Sequence, residues 1–142
     1  MKINRHGSAQ WQGGIKDGKG SISTQSTTLK DAQYSYGTRF ENGVGTNPEE
    51  LLAAAHAGCF SMALSLVLNQ AGLTAERIQT ACSISLEKSG EGFSVTESHL
   101  VVEAKVPGAT AEGFEKAAEG AKANCPVSKL YNTKITMSAK LV

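Results

Sequence analysis

The chain has three cysteines, an odd number and too few for the disulfide framework of a small secreted domain. No two of them have Cys-x-x-Cys spacing, and His6, His56 and His99 form no metal-ligand pattern with them. Charge of one sign is also lacking. Fourteen Lys and Arg nearly cancel thirteen Asp and Glu, leaving a formal net charge of +1. With no basic cluster or stripe, nucleic acid is not an expected partner. The glycines fall mostly at turns, and none builds a phosphate-binding loop. Met1 to Ala9 contains no apolar run, so no secretory signal is expected there. Reduced thiols in a cytoplasmic protein are the default reading. No repeat, linker or low-complexity tract divides the sequence, and a single domain over residues 1–142 is expected.

What the chain does have is one long apolar stretch, Asn47 to Leu68, without a charge from Leu51 onward. Asn47 suits an N-cap, Pro48 the first helical position, and Glu49 and Glu50 the first turn. Gly72 suits the position just past the end. The length approaches that of a membrane span. His56, Gly58, Ser61 and Ser65 interrupt it, and neither an aromatic belt nor Lys/Arg anchors flank it. A core helix, not a membrane span, is therefore expected. Apolar on nearly every side, it must be surrounded by other elements.

Those elements read mostly as strands. Gly7–Gly14 and Ser21–Thr28 suggest a first hairpin, and Tyr34–Phe40 a short strand or ordered loop. Ile78–Lys88 alternates cleanly, with Ile78, Thr80, Cys82, Ile84 and Leu86 on one face. Phe93–Val106 returns with Leu100, Val102, Ala104 and Val106 on one face. Phe93 and Val95 have the opposite parity, which predicts a bulge near Glu97. A helix follows Thr110, with Phe114, Ala117, Ala118 and Ala121 as its apolar stripe, then a short one after Pro126. Lys134–Val142 is a last strand. The order is that of an α+β fold.

The cysteines differ in what surrounds them. Cys82, on the apolar face of a strand, reads as a small buried hydrophobe. Cys59 lies mid-helix among Ala and Leu, where burial raises a thiol pKa and leaves it inert unless a cation or donor reaches it. His56, three residues earlier, can lie beside Cys59 on the helix surface, or can simply be packed. Cys125 precedes Pro126 at a helix junction, where unpaired N–H groups favour thiolate; a merely packing cysteine fits that position equally well.

Two motifs together resemble one family. Gly45-Thr-Asn-Pro-Glu-Glu-Leu-Leu-Ala-Ala-Ala-His-Ala-Gly-Cys59-Phe-Ser-Met, followed by Ala123-Asn-Cys125-Pro-Val-Ser128, is similar to the OsmC/Ohr family of osmotically inducible and organic hydroperoxide resistance proteins. Ala9-Gln-Trp-Gln-Gly-Gly and Thr38-Arg-Phe-Glu-Asn-Gly resemble its OsmC branch. The resemblance implies antiparallel sheets wrapped around a long buried central helix in an intertwined homodimer. It implies a two-cysteine thiol peroxidase needing no cofactor, with Cys59 as peroxidatic nucleophile and Cys125 as resolving thiol. Arg39 and Glu49 match the Arg and Glu that support the thiolate. Organic hydroperoxide is the implied substrate, and an external dithiol, in the direction of a lipoyl protein, the implied reductant.

Helix geometry adds one expectation. Glu49 is ten residues before Cys59, or roughly 15 Å along a straight helix. If Glu49 serves Cys59, it comes from the partner subunit. The apolar neighbours Phe60, Met62, Tyr34 and Tyr36 further suggest a pocket suited to bulky organic hydroperoxides. A redox sensor using the same disulfide, and a dimerisation domain with inert thiols, are the competing readings.

Overall fold

Glycine-punctuated, β-branched segments make up the first of two units, Met1–Leu51, in the computed structural model, which describes every residue from Met1 to Val142. Strands β1 (Gly7–Gln12), β2 (Lys19–Thr24) and β3 (Ala32–Tyr34) form an antiparallel sheet in that order. Trp11 pairs with Gly20, and Gly20 with Tyr34. The two rings meet over Gly20 with centroids 5.4 Å apart, and a Cβ there would collide with both.

Tyr34–Phe40 proves to be neither all strand nor loop. β3 ends at Tyr34, and Tyr36–Phe40 is a short helix, α1. Ser35 caps it. The Ser35 hydroxyl accepts from the Thr38 N–H at 3.3 Å, and Thr38 Oγ1 accepts from the Ser35 N–H at 2.9 Å. This reciprocal box uses Thr where Glu or Gln is usual, so the sequence signature is muted.

Helix α2 spans Pro48–Gln70. Its start is as expected. Asn47 Oδ1 accepts from the Glu50 N–H at 2.8 Å, and Asn47 Nδ2 donates to the Thr38 carbonyl at 3.0 Å. Its end, in the second unit (Leu52–Val142), is a Schellman motif. The Leu73 N–H reaches the Leu68 carbonyl at 2.9 Å and the Gly72 N–H the Asn69 carbonyl at 3.0 Å, with Gly72 at φ +78°.

The rest of the second unit is a sheet with helices on it. β4 (Arg77–Ser89) and β5 (Gly92–Lys105) form an antiparallel hairpin. The bulge falls where parity predicted it, since Ser85 faces Glu97 but Leu86 faces Val95. Helices α3 (Ala111–Asn124) and α4 (Pro126–Leu130) follow, and β6 (Lys134–Leu141) completes the order β4-β5-β6. β6 runs parallel to β5, which corrects the expectation of purely antiparallel sheets. The physical reason is the connection: a crossover carrying two helices returns the chain to the end of the sheet it left.

The core lies in this unit. Phe60, Leu64 and Leu68 of α2, Leu100, Val102 and Ala104 of β5, and Phe114, Ala118 and Ala121 of α3 are buried. Each fully buried large side chain contributes roughly 1.5–3 kcal/mol. Along α2 the buried positions are His56, Phe60, Leu64 and Leu68, a single stripe at four-residue spacing. Met62 and Leu66 are 77% and 58% exposed. Within one chain the helix is thus covered on one side, not all round. By length and composition it is also apolar enough to cross a membrane, the one helix here that is.

Candidate active site

Cys125 sits at a kink that its own successor imposes. Pro126 has no N–H and disfavours helical geometry in the residue before it. Cys125 accordingly adopts φ −62°, ψ 139° and serves two helices. Its N–H donates to the Ala121 carbonyl at 2.9 Å, closing α3. Its sulfur accepts from the Ser128 N–H at 3.4 Å, opening α4. The side chain is fully buried.

Cys59 meets this junction from α2. It lies near enough to Cys125 and to the Val127 N–H for both to act on its ionisation. Burial pushes the Cys59 thiol up; the Val127 N–H opposes this, and the adjacent Cys125 adds to it. A reactive thiolate here therefore needs positive charge brought to it. All three thiols are free, and Cys59 is the partly exposed member of the pair. It opens onto a cavity of about 1130 Å³ whose wall includes Met62, Leu66, Ala117, Ala121 and Pro126. Phe60, expected in such a pocket, instead points into the core.

In the first unit, Arg39 and Glu49 form an ion pair. Arg39 Nη2 donates to Glu49 Oε1 at 2.7 Å, and Nε lies 3.1 and 3.2 Å from the two carboxylate oxygens. Phe40 lies under the guanidinium, 5.3 Å from it. Arg39 is in the last turn of α1 and Glu49 in the first turn of α2, so the Asn47–Thr38 bond that ties these turns also registers the pair. The structure thus brings Arg39 to Glu49 in one unit and Cys59 to Cys125 in the other.

Sequence reasoning missed a buried polar network behind the thiols. His56 is fully buried. Its Nδ1 lies 2.6 Å from Ser98 Oγ and its Nε2 2.7 Å from Ser128 Oγ. Ser128 Oγ continues to Cys125 Sγ at 3.2 Å, and Ser98 Oγ to Cys82 Sγ at 3.3 Å. Burial pushes the imidazole pKa down, which keeps it neutral. Cys82 is therefore more than a small hydrophobe. Burial raises its pKa and the Ser98 hydrogen bond opposes that. The Tyr131 ring stands edge-on to His56 at 5.2 Å, and its hydroxyl donates to the Leu52 carbonyl at 2.8 Å. One signal was legible: Ser98 shares parity with Leu100 and Val102 on the inward face of β5, where a polar side chain needs a partner. His, Cys, Asp and Glu side chains gather nowhere into a metal-holding group.

Comparison with known proteins bears on the family and the fold. The family described as OsmC-like protein matches residues 40–140. Peroxiredoxin OsmC of Escherichia coli K12 is 48% identical over 141 residues, 99% of either chain. Organic hydroperoxide resistance protein OhrA of Bacillus subtilis is 30% identical over 97 residues, 68% of this chain and 67% of its own. Among solved structures, OhrB of Bacillus subtilis superposes with a TM-score of 0.71 at 24% identity, covering 96% of this chain and 98% of that one. An OsmC-like protein of unknown function from Vibrio cholerae superposes at 0.76 with 16% identity, covering 97% and 99%. At such identities these two establish the fold alone. The fold, the motif-bearing helix and the full-length kinship together make this chain a member of the OsmC-like protein family.

Proposed function

We propose that this chain reduces organic hydroperoxides to alcohols, with Cys59 as nucleophile and Cys125 as resolving thiol. Its kinship with peroxiredoxin OsmC and the organic hydroperoxide resistance proteins makes it a peroxide-detoxifying peroxidase. The observation that supports the roles of Cys59 and Cys125 is the nearness of the two thiols, one sealed in the fold and one facing an open cavity with apolar walls.

The Cys59 thiolate attacks the terminal peroxide oxygen. The O–O bond breaks, alkoxide leaves and is protonated, and Cys59 becomes a sulfenic acid. Cys125 then displaces hydroxide to form the disulfide, and an external dithiol returns both thiols. Burial opposes the Cys59 thiolate, so the guanidinium of Arg39 is assigned to it and to the departing alkoxide. Glu49 holds that guanidinium in orientation and does not touch the sulfur, where its charge would oppose ionisation. The pair acts across a homodimer, delivered from the partner subunit to each Cys59. Exposed Met62 and Leu66 support such a partner, since a second chain would cover them. On this reading the 142 residues work as one cytoplasmic domain, and the reductant is a dithiol carrier of the lipoyl type.

The test is turnover. Reduced protein with an added dithiol should consume many equivalents of cumene hydroperoxide, faster than hydrogen peroxide at matched concentration. Disulfide mapping should return Cys59–Cys125 with Cys82 free. A single equivalent consumed without further turnover would favour a sensor. No consumption, with all three thiols intact, would leave a purely structural protein.

A further inference from the structure

The buried chain Cys82–Ser98–His56–Ser128–Cys125 has a direction. Ser98 and Ser128 each carry one hydroxyl proton, and a neutral imidazole carries one N–H. Each link is therefore either donated towards Cys125 or away from it, and the tautomer of His56 sets all of them together. With the proton on Nε2, His56 donates to Ser128 Oγ, and the Ser128 hydroxyl donates to Cys125 Sγ. Cys82 S–H then donates to Ser98, and the Ser98 hydroxyl donates to Nδ1. Every donor in this arrangement points at one sulfur, which also receives the Ser128 N–H. In both contacts with Ser128 that sulfur is then the acceptor. With the proton on Nδ1, the same chain accepts the Cys125 S–H instead.

We propose that His56 is a positioning residue for the resolving step: acting as neutral imidazole through Ser128, it stabilises the Cys125 thiolate that attacks the Cys59 sulfenic acid. The inference rests on the two-thiol reading above and assigns a use to His56, Ser98, Ser128 and Cys82, which that reading leaves idle. The step balances without another oxidant. Cys125 loses its proton, which is the equivalent of the one that ends on the departing oxygen, and the sulfur lone pair forms the S–S bond. The S–O bond of the sulfenic acid breaks, and hydroxide leaves with its electron pair and is neutralised by the proton that Cys125 released. Two thiol-derived sulfurs end as one disulfide and one water.

The titratable groups facing the imidazole are Cys82 from β4, Tyr131 beyond α4 and, through Ser128, Cys125. Burial is what keeps the ring uncharged, so the donor function does not require a buried imidazolium.

The experiment separates the two chemical steps. Reduced protein is mixed with one equivalent of cumene hydroperoxide and quenched with dimedone at timed intervals. Mass spectrometry then counts the Cys59 sulfenic adduct and the Cys59–Cys125 disulfide. In His56→Asn, whose short amide serves the Ser98 side only, disulfide formation should slow at least tenfold. The sulfenic adduct should accumulate, and the pH–rate profile of this step should move upward. Ser128→Ala, a one-atom change that spares the fold, should do the same. His56→Gln and Ser128→Thr, which restore a donor on the Cys125 side, should recover much of the rate. The proposal is overturned if His56→Asn and Ser128→Ala form disulfide at the wild-type rate with an unmoved pH profile. It is equally overturned if both steps slow together, as loosened packing would cause. Failure of the underlying thiol reading looks different, because wild-type protein would itself give neither adduct nor disulfide.

Discussion

The two units hold their side chains by different means. Every buried hydrophobic residue, from Phe60 to Cys125, belongs to Leu52–Val142. In Met1–Leu51 the buried side chains are hydroxyls, Thr38 and Thr46, and order comes from capping, backbone pairing and polar contacts. Thr46 donates to Glu50 Oε2 at 2.8 Å, and its N–H to the Gln33 carbonyl at 2.9 Å. A three-stranded sheet without an apolar core is marginal by itself. The second unit sets its thiols against an apolar core; the first holds the Arg39 guanidinium on Glu49 by capping and polar contacts.

That contrast can be broken most sharply through Cys59. Cys59→Ser should lower peroxide turnover by at least about 10³-fold, measured with dithiol in excess, because serine is a far weaker nucleophile at neutral pH. Stability comes next. Phe60→Ala should cost about 3–5 kcal/mol in denaturant unfolding, the usual range for a large side chain removed from a packed core. Ile22→Ala in β2, only half-buried, should cost about 1 kcal/mol or less. Equal losses would dissolve the distinction between the units.

Arg39→Ala should lower kcat/KM for cumene hydroperoxide by about 10–100-fold with little change in unfolding midpoint, since a partly exposed ion pair contributes at most about 1 kcal/mol to stability. Arg39→Lys should recover little, as an ammonium cannot span two carboxylate oxygens and the sulfur together. A large loss of stability instead would make the pair a structural clamp.

The smallest effect is one of pH. His56 has its pKa lowered by burial, so the unfolded chain binds a proton that the folded chain resists. Its stabilising neutral form is fully present above the usual histidine value of about 6.5 and is lost as pH falls from there through the lowered folded value. The unfolding midpoint of wild type should decline over that window, and the His56→Asn variant should show a shallower decline.

Much of this was legible in the residues. Asn47 and Gly72 marked both ends of α2, and the parity switch between Val95 and Leu100 located the bulge. Phe114, Ala117, Ala118 and Ala121 named the buried face of α3. What stayed hidden was decided by tertiary partners. α1 rests on a capping box with Thr38 in an unusual role. The direction of β6 depends on how its crossover closes, which alternation cannot report. The imidazole of His56 looks past its helix neighbour Cys59 to two serines 42 and 72 residues away, a separation that no local pattern encodes. Arg39 and Glu49 were named from the family resemblance alone; the ion pair between them depends on α1, a helix that the sequence did not reveal.

The parallel strand has a consequence for the order of folding. Cys125 lies on the crossover between β5 and β6, and that crossover is closed when the eight-residue β6 docks beside β5. The β4–β5 hairpin can form early from local contacts, whereas the crossover closes late. In chain order Cys59 thus precedes, by β4, β5 and α3, the crossover that carries Cys125, and β6 comes after both.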